Sequence, residues 1–233
     1  MADLRYDQDF ARAEAVSIDL TGKGADLSDR RYASMGKSLF DFFFALALTP
    51  FVGLVVLILC VMVYLQDGRN PLFGHKRVGR NGRVFRCWKI RTMVPDAEAR
   101  LADLLNSDPD AAAEWAEFQK LTHDPRIMSV GDTLRRTSLD ELPQLWNVLR
   151  GEMSFVGPRP VTVPELDRYG TSRAAYCAMR PGITGLWQVS GRNEVTYAER
   201  VALDVEYLYR MSFGTDIGII ARTAGVVLKP TGK

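Results

Sequence analysis

The chain has few of the residues that hold soft metals or form cross-links. Its 233 residues include two histidines, His75 and His123, and three scattered cysteines, Cys60, Cys87 and Cys177. That pattern gives neither a disulfide framework nor a C-x-x-C metal motif, and a reducing, cytoplasmic compartment fits it best. With so few soft ligands a His/Cys zinc site has no basis. Any metal is expected to be hard and oxygen-bound, with Mg2+ the natural candidate. The first 30 residues lack a basic n-region, an apolar h-region and a cleavage pattern, so they read as a mostly disordered tail. No internal repeat is visible. No recognition module pairs basic with aromatic residues, so no nucleic-acid partner is expected.

Negative charge is missing locally. Gly68 to Pro95 contains no Asp or Glu but carries Arg69, Lys76, Arg77, Arg80, Arg83, Arg86, Lys89 and Arg91, although the net charge of the whole chain is only +2. For most of these bases simple attraction to anionic lipid competes with a specific site.

There is one long apolar run. Phe42 to Leu65 carries no charge, and about 20 residues suffice for a helix to cross a hydrocarbon core. Two observations oppose a simple crossing. Pro50, after Thr49, removes one backbone hydrogen bond and clashes with the Leu46 carbonyl, so a kink is expected. Bases also flank both ends, with Arg30, Arg31 and Lys37 before the run, whereas a spanning helix carries its excess on one side. A helix that enters one leaflet, breaks at Thr49-Pro50 and returns to the same face meets both, the Thr49 hydroxyl satisfying part of the freed backbone. This re-entrant reading is preferred to a full span or a buried soluble helix. Asp41 is expected to be interfacial or paired with a base such as Lys37.

Beyond Asp67-Gly68, Asn81-Gly82 signals a hairpin in a small basic β element. Ala97 to Lys120 reads as two solvated helices interrupted at Ser107-Asp108-Pro109. HDPRIMSVGDTLRRTS is expected to be a loop, and RPGITGLWQVSGRNEV a binding loop. A last amphipathic helix, about Tyr197 to Met211, places Val201, Val205, Leu208 and Tyr209 on one stripe. The apolar tail from Ile217 to Leu228 is too short to span.

The central block, Thr137 to Pro160, reads TSLDELPQLWNVLRGEMSFVGPRP. Ser138 and Glu141 could form a capping box, making the acids purely structural. Pro143 argues for a later start, with Asp140 as N-cap, Leu142 to Leu149 helical and Gly151 as the stop. An aspartate at a helix N-terminus is held ionised by the dipole, and the same amides attract phosphate. Arg135, Arg136 and Arg159 would let an anionic substrate approach these carboxylates. Composition leaves the structural and the chemical readings open.

Four segments in register, GKSLFDFFFALALTPF, FGHKRVGRNGRVFRCWKIRTM, DPRIMSVGDTLRRTSLDELPQLWNVLRGEMSFVGPRP and RPGITGLWQVSGRN, resemble the bacterial sugar transferase family of small monotopic phosphoglycosyl transferases. The likeness covers Lys37 to Leu228. It is strongest to enzymes that start exopolysaccharide repeat units by moving galactose or glucose 1-phosphate to a polyprenyl phosphate. Thr49-Pro50 stands where Ser-Pro is common in the family.

The resemblance implies an α+β, mainly helical, monotopic fold. It divides the chain into a disordered tail over 1–35, a Pro-broken re-entrant membrane helix over 36–66, and a cytoplasmic catalytic domain with interfacial helices over 67–233. It implies a bacterial inner-membrane location with that domain on the cytoplasmic face. Asp140 is then the nucleophile attacking the β-phosphate of a UDP-hexose, releasing UMP and leaving a phosphosugar-aspartyl intermediate. Glu141 assists attack by undecaprenyl phosphate, or helps Asp140 hold Mg2+. Arg135 and Arg159 bind phosphate, with Pro158 and Pro160 shaping the loop around the nucleotide. Lys89 and Arg91 are expected at the diphosphate or a lipid headgroup, and Arg180, Trp187, Gln188 and Arg192 near acceptor or sugar unless Trp187 is core. A membrane homodimer is one expectation for assembly. The alternative function is a membrane-anchored scaffold of a polysaccharide assembly complex with little catalysis of its own.

Overall fold

The computed structural model describes residues 31–118, 121–191 and 195–228. Most of the expected N-terminal tail, Arg30, Lys120 and Arg192 lie outside them. A π-helical turn, Tyr32–Gly36, leads into α1 (Lys37–Asp67), followed by β1 (Leu72–Val78), β2 (Val84–Ile90), α2 (Ala97–Ser107), α3 (Pro109–Phe118) and α4 (Ser129–Thr137). A 3-10 turn, Leu139–Glu141, precedes α5 (Gln144–Leu149). Then come β3 (Ser154–Val156), α6 (Val163–Asp167), α7 (Arg173–Ala178), β4 (Gly182–Thr184), α8 (Leu186–Val189), α9 (Tyr197–Arg210) and α10 (Phe213–Leu228). Among the described residues the architecture is mainly helical with two small sheets, β1-β2 and β3-β4.

The chain divides into two units: the described parts of Met1–Pro50, Gly74–Cys87 and Gln144–Lys233, and those of Phe51–Phe73 and Trp88–Pro143. Within α1 the division falls at Pro50, which stands inside the helix. The Thr49 hydroxyl donates to the Ala45 carbonyl at 2.8 Å, the local back-bond expected beside a missing donor. Tyr32–Asp67 is long and apolar enough to cross a membrane, and only 11% of its most apolar window is buried, unlike the core helix of a soluble protein.

In the first unit the helix entry is pinned by buried polar contacts. Lys37 pairs with Asp216, which also accepts from Tyr32 Oη at 2.7 Å and from Tyr207 Oη at 2.6 Å. Asp41 accepts from the Phe155 amide at 3.1 Å and from Arg180 at 2.8 Å. Its direct ion pair is with Arg180, 139 residues away, while Lys37, the base expected from proximity in sequence, bonds to Asp216 and reaches Asp41 through its charge alone. Residues 32–35, assigned by sequence to the tail, belong to the turn Tyr32–Gly36, which the Tyr32 bond to Asp216 ties to the same network.

Hydrogen bonds to charged, buried acceptors contribute about 1.5–3 kcal/mol each. Tyr207→Phe is therefore expected to destabilise by about that amount, and a thermal melt that does not move would remove this network from the account.

An apolar cluster of Val78, Val161, Leu166, Tyr169 and Tyr176 fills the same unit. Tyr176 Oη donates to the Val78 carbonyl at 2.7 Å and accepts from the Val161 amide at 3.2 Å, so a hydroxyl ties β1 to the segment before α6. The parallel pair β3-β4 sets Ser154 opposite Gly182 and Val156 opposite Thr184. A Cβ on Gly157 would lie 2.3 Å from the Arg180 carbonyl, so this close backbone approach admits only glycine.

The second unit packs Leu59 and Val63 of α1 against Ile90, Met128 and Leu134. α2 and α3 meet as the expected helical pair, divided at Asp108.

Several local expectations change. The hairpin forms with Asn81 left-handed at φ 58°, and β2 buries Phe85, Cys87 and Ile90 while Val84 and Arg86 are exposed, so its alternation stops after Cys87. The expected loop before Thr137 contains α4, because Val130 and Leu134 supply an inward stripe. Instead of an open binding loop, the segment after Arg180 forms β4 and α8 with Trp187 buried beneath Arg200, whose Cζ lies 4.2 Å from the ring centroid. On α9 the buried positions are Asp204 and Tyr207, while Tyr209 is 71% exposed. Tertiary partners for polar groups, not apolar periodicity, select that face.

Candidate active site

The site is built from α4 and the strand end that it rests on. Gly131 sits where a Cβ would fall 2.1 Å from the Thr92 carbonyl oxygen. Only a residue without one lets the helix approach that backbone, and the Met128 amide also donates to the Thr92 carbonyl at 3.0 Å. One turn along the helix, Arg135 Nε donates to Thr92 Oγ1 at 2.8 Å. Gly131→Ala meets backbone, which no rotamer change relieves. We expect a loss of about 1–3 kcal/mol, read by thermal melting, together with reduced turnover because Arg135 moves with α4.

After Thr137 the chain reverses through Ser138, a non-glycine residue in the left-handed region at φ 57°. This is a conformation that serine adopts only at some cost, of the kind concentrated at functional turns. The 3-10 turn Leu139–Glu141 follows, with the Glu141 amide bonded to the Ser138 carbonyl at 3.2 Å. Asp140 is thus the centre of a 3-10 turn and not the N-cap of the next helix, which begins at Gln144 just after Pro143. Pro143 falls outside that ladder, where its missing donor costs nothing.

The electrostatics differ from the sequence expectation accordingly. Asp140 is only 8% exposed, and burial pushes its carboxyl above the usual range, with Lys89 pulling it down, Glu141 pushing it up and Arg135 pulling it down. No helix dipole holds it ionised; two nearby cations oppose the desolvation. Glu141 is half-exposed, and its Oε1 lies 2.6 Å from Lys89 Nζ. Lys89 therefore engages the second carboxylate directly, a contact that sequence spacing did not reveal. Close to Arg135 lies Asp124: burial raises its carboxyl, but bonds from Arg126 and the charge of Arg135 outweigh burial and leave it low.

Residues 32–230 match the family model described as bacterial sugar transferase. The chain belongs to this family. The chain is 50% identical over 196 residues to a UDP-galactose-lipid carrier transferase of Erwinia amylovora, covering 84% of this chain and 41% of that protein. It is 45% identical over 204 residues to the exopolysaccharide production protein ExoY of Rhizobium meliloti, covering 87% of this chain and 90% of that protein. With an undecaprenyl-phosphate galactose phosphotransferase of Salmonella typhimurium it shares 50% over 177 residues, 74% of this chain and 37% of that protein. The chain thus spans less than half of two of these relatives and most of the third.

Asp140, Glu141, Lys89 and Arg135 are brought together in one unit. Pro158, Arg159 and Pro160 belong to the other. There Pro158 is buried and its carbonyl accepts from the Gly182 amide at 2.9 Å, while Arg159 is exposed. Beyond the loop, Arg77 pairs with Glu165 at 2.9 Å, and Glu165 closes a capping box with Thr162. Burial raises the Glu165 carboxyl, but the Thr162 bonds and the charges of Arg77 and Arg159 hold it below the usual range. Among the other residues expected at ligand, Arg91 is committed to Asp67 through contacts of 2.6 and 2.7 Å, and Arg136 forms an exposed pair with Asp132 at 3.1 Å. Arg180 holds Asp41 at 2.8 Å, and Trp187 takes the core alternative.

Among the described residues no three His, Cys, Asp or Glu side chains converge as a metal cage. The donors fit Mg2+ in its usual manner, in which one or two carboxylates are joined by water and substrate phosphates. Asp140 would offer one such carboxylate, while Glu141 is held by Lys89 at 2.6 Å.

Proposed function

We propose that this sugar transferase moves a hexose 1-phosphate from a UDP-hexose, galactose or glucose, to undecaprenyl phosphate and releases UMP, as the first membrane step of exopolysaccharide synthesis. The observation that carries the reading is the buried Asp140 carboxylate, set between the cations Lys89 and Arg135 in the central block of this family. Two cations keep a desolvated carboxylate ionised enough to attack phosphorus and draw the donor's diphosphate toward it. The names of the relatives support the lipid-linked sugar-phosphate chemistry.

The transfer proceeds in two displacements. An Asp140 carboxylate oxygen bonds to the β-phosphorus of the UDP-hexose as the bond to the bridging oxygen breaks, and that oxygen leaves with UMP. A phosphate oxygen of undecaprenyl phosphate then bonds to the same phosphorus, the aspartyl bond breaks, and the lipid-linked diphosphate sugar departs. Two steps through one carboxylate suit substrates that arrive from different phases. Glu141 positions the second nucleophile, and Arg135 holds phosphate oxygens. Mg2+ held by Asp140 would supply charge neutralisation on the diphosphate.

Residues 36–66 form the membrane helix and residues 67–233 the catalytic domain, on the cytoplasmic face of the bacterial inner membrane. Re-entry to the same face through Thr49-Pro50 follows from bases at both ends of the apolar run, and cysteine labelling that found the two flanks on opposite faces would end that model. The chemistry is tested by incubating the protein with Mg2+ and a UDP-hexose before adding acceptor. Mass spectrometry is expected to show one added phosphohexose with release of UMP. Absence of the adduct across a panel of common UDP-sugars would leave the scaffold reading in its place.

A further inference from the structure

A cavity of about 620 Å³ lies wholly within the first unit, and none of the proposed reacting residues lines it. Its wall includes Ser38 and Phe42 of α1, Arg80 and Arg83 from the hairpin, and Arg150 and Arg180. Two of these four cations are already matched, Arg150 by Glu152 at 3.2 Å and Arg180 by Asp41 at 2.8 Å. Arg80 and Arg83 have no carboxylate partner among the described residues. Arg180 registers this imbalance: burial pushes its guanidinium down, Asp41 holds it up, and Arg80 pushes it down again. Unmatched arginines facing a shared cavity call for an anion, and their planar, multi-donor heads suit phosphate oxygens.

The position along α1 says where that anion comes from. Phe42 is the first residue of the uncharged run and is 42% exposed, and Ser38 lies one turn before it. If the run occupies hydrocarbon, the Ser38 level is the headgroup level, whichever way the helix continues beyond Pro50. A soluble phosphate would need no apolar side chain such as Phe42 at the cavity wall, whereas a lipid needs one for the start of its chains.

We propose that this cavity binds the phosphate headgroup of an anionic membrane phospholipid, with Arg80 and Arg83 as its principal contacts and Ser38 as a further donor. The site anchors the hairpin and the start of α1 to the bilayer surface, apart from the transfer chemistry. The proposal rests on the membrane reading of α1.

The full chain, purified in a maltoside detergent and titrated with dioleoyl phosphatidylglycerol, is expected to gain one lipid per chain by native mass spectrometry. Arg80→Ala/Arg83→Ala, which changes two exposed side chains, should weaken that adduct about 30-fold. Lys76→Ala/Arg86→Ala removes the same charge from the hairpin outside the cavity and should retain the adduct. An adduct of equal strength with phosphatidylcholine would overturn the proposal as apolar packing alone. Equal binding of glycerol 3-phosphate would overturn it as a soluble-anion site, and equal loss in both double variants as bulk charge. Alkaline carbonate washing of cell membranes tests the membrane reading separately. A chain that washes off defeats that reading, while a chain that stays but forms no lipid adduct defeats the headgroup site alone.

Discussion

Asp140→Asn is expected to lower turnover by about 10^4-fold or more while raising the melting temperature. The amide cannot form the aspartyl bond, so the phosphohexose adduct should vanish together with UMP release. The stability gain follows from the same burial that shapes the nucleophile. The folded-state carboxyl lies above its ordinary value, chiefly through desolvation. The folded chain therefore binds a proton where the unfolded chain has lost it, and stability falls as pH rises from the ordinary carboxylate range through the raised folded value. Above that window the full cost remains. Asparagine keeps the shape and removes the charge, so a gain of about 2 °C near neutral pH is expected, shrinking once the medium is acidic enough to protonate aspartate in both states. Loss of activity with a lowered melting temperature would instead mark Asp140 as a structural residue.

Lys89→Met should reduce kcat/KM near neutral pH by about 100-fold and move the acidic limb of the pH profile to higher pH. Lys89 is the largest influence opposing burial at Asp140, and it holds Glu141 at 2.6 Å. Without it the Asp140 carboxyl rises further, so a higher pH is needed to ionise the nucleophile and part of the activity returns as pH is raised. Lys89→Arg retains the cation and should keep the limb near its original place, although a planar guanidinium replaces a point charge. If Lys89 contacted only the donor diphosphate, Lys89→Met would raise KM without moving the limb. That result would dissociate Lys89 from the ionisation of Asp140.

The features readable along the chain are those whose cause is local. Asn81-Gly82 made the hairpin because a tight turn needs left-handed residues, and Asp108-Pro109 divided two helices because proline has no donor. The uncharged run from Phe42 to Leu65 announced a helix with an exposed apolar surface. The segment HDPRIMSVGDTLRRTS reads as a loop, and the helix α4 within it shows only once Gly131 rests against the Thr92 backbone and Leu134 enters the core. The Asp140-Glu141 pair is visible in the sequence but its setting is not, because Pro143 signals a boundary without saying whether the residues before it form a cap or a separate 3-10 turn.

Turn chemistry, periodicity and spacing act over a few residues, and on that scale the order of residues already specified the apolar helix, the hairpin, the helical pair and the carboxylate pair. The path of the chain assigned the partners. Lys89 meets Glu141 across 52 residues, Asp41 meets Arg180 across 139, and Lys37 meets Asp216 across 179. Burial and charge partners together set whether a carboxylate is poised to react, and both are properties of the space around a residue. For that reason Asp140 could be recognised in sequence as a candidate, while its raised carboxyl and its opposing cations emerged only once the chain was folded.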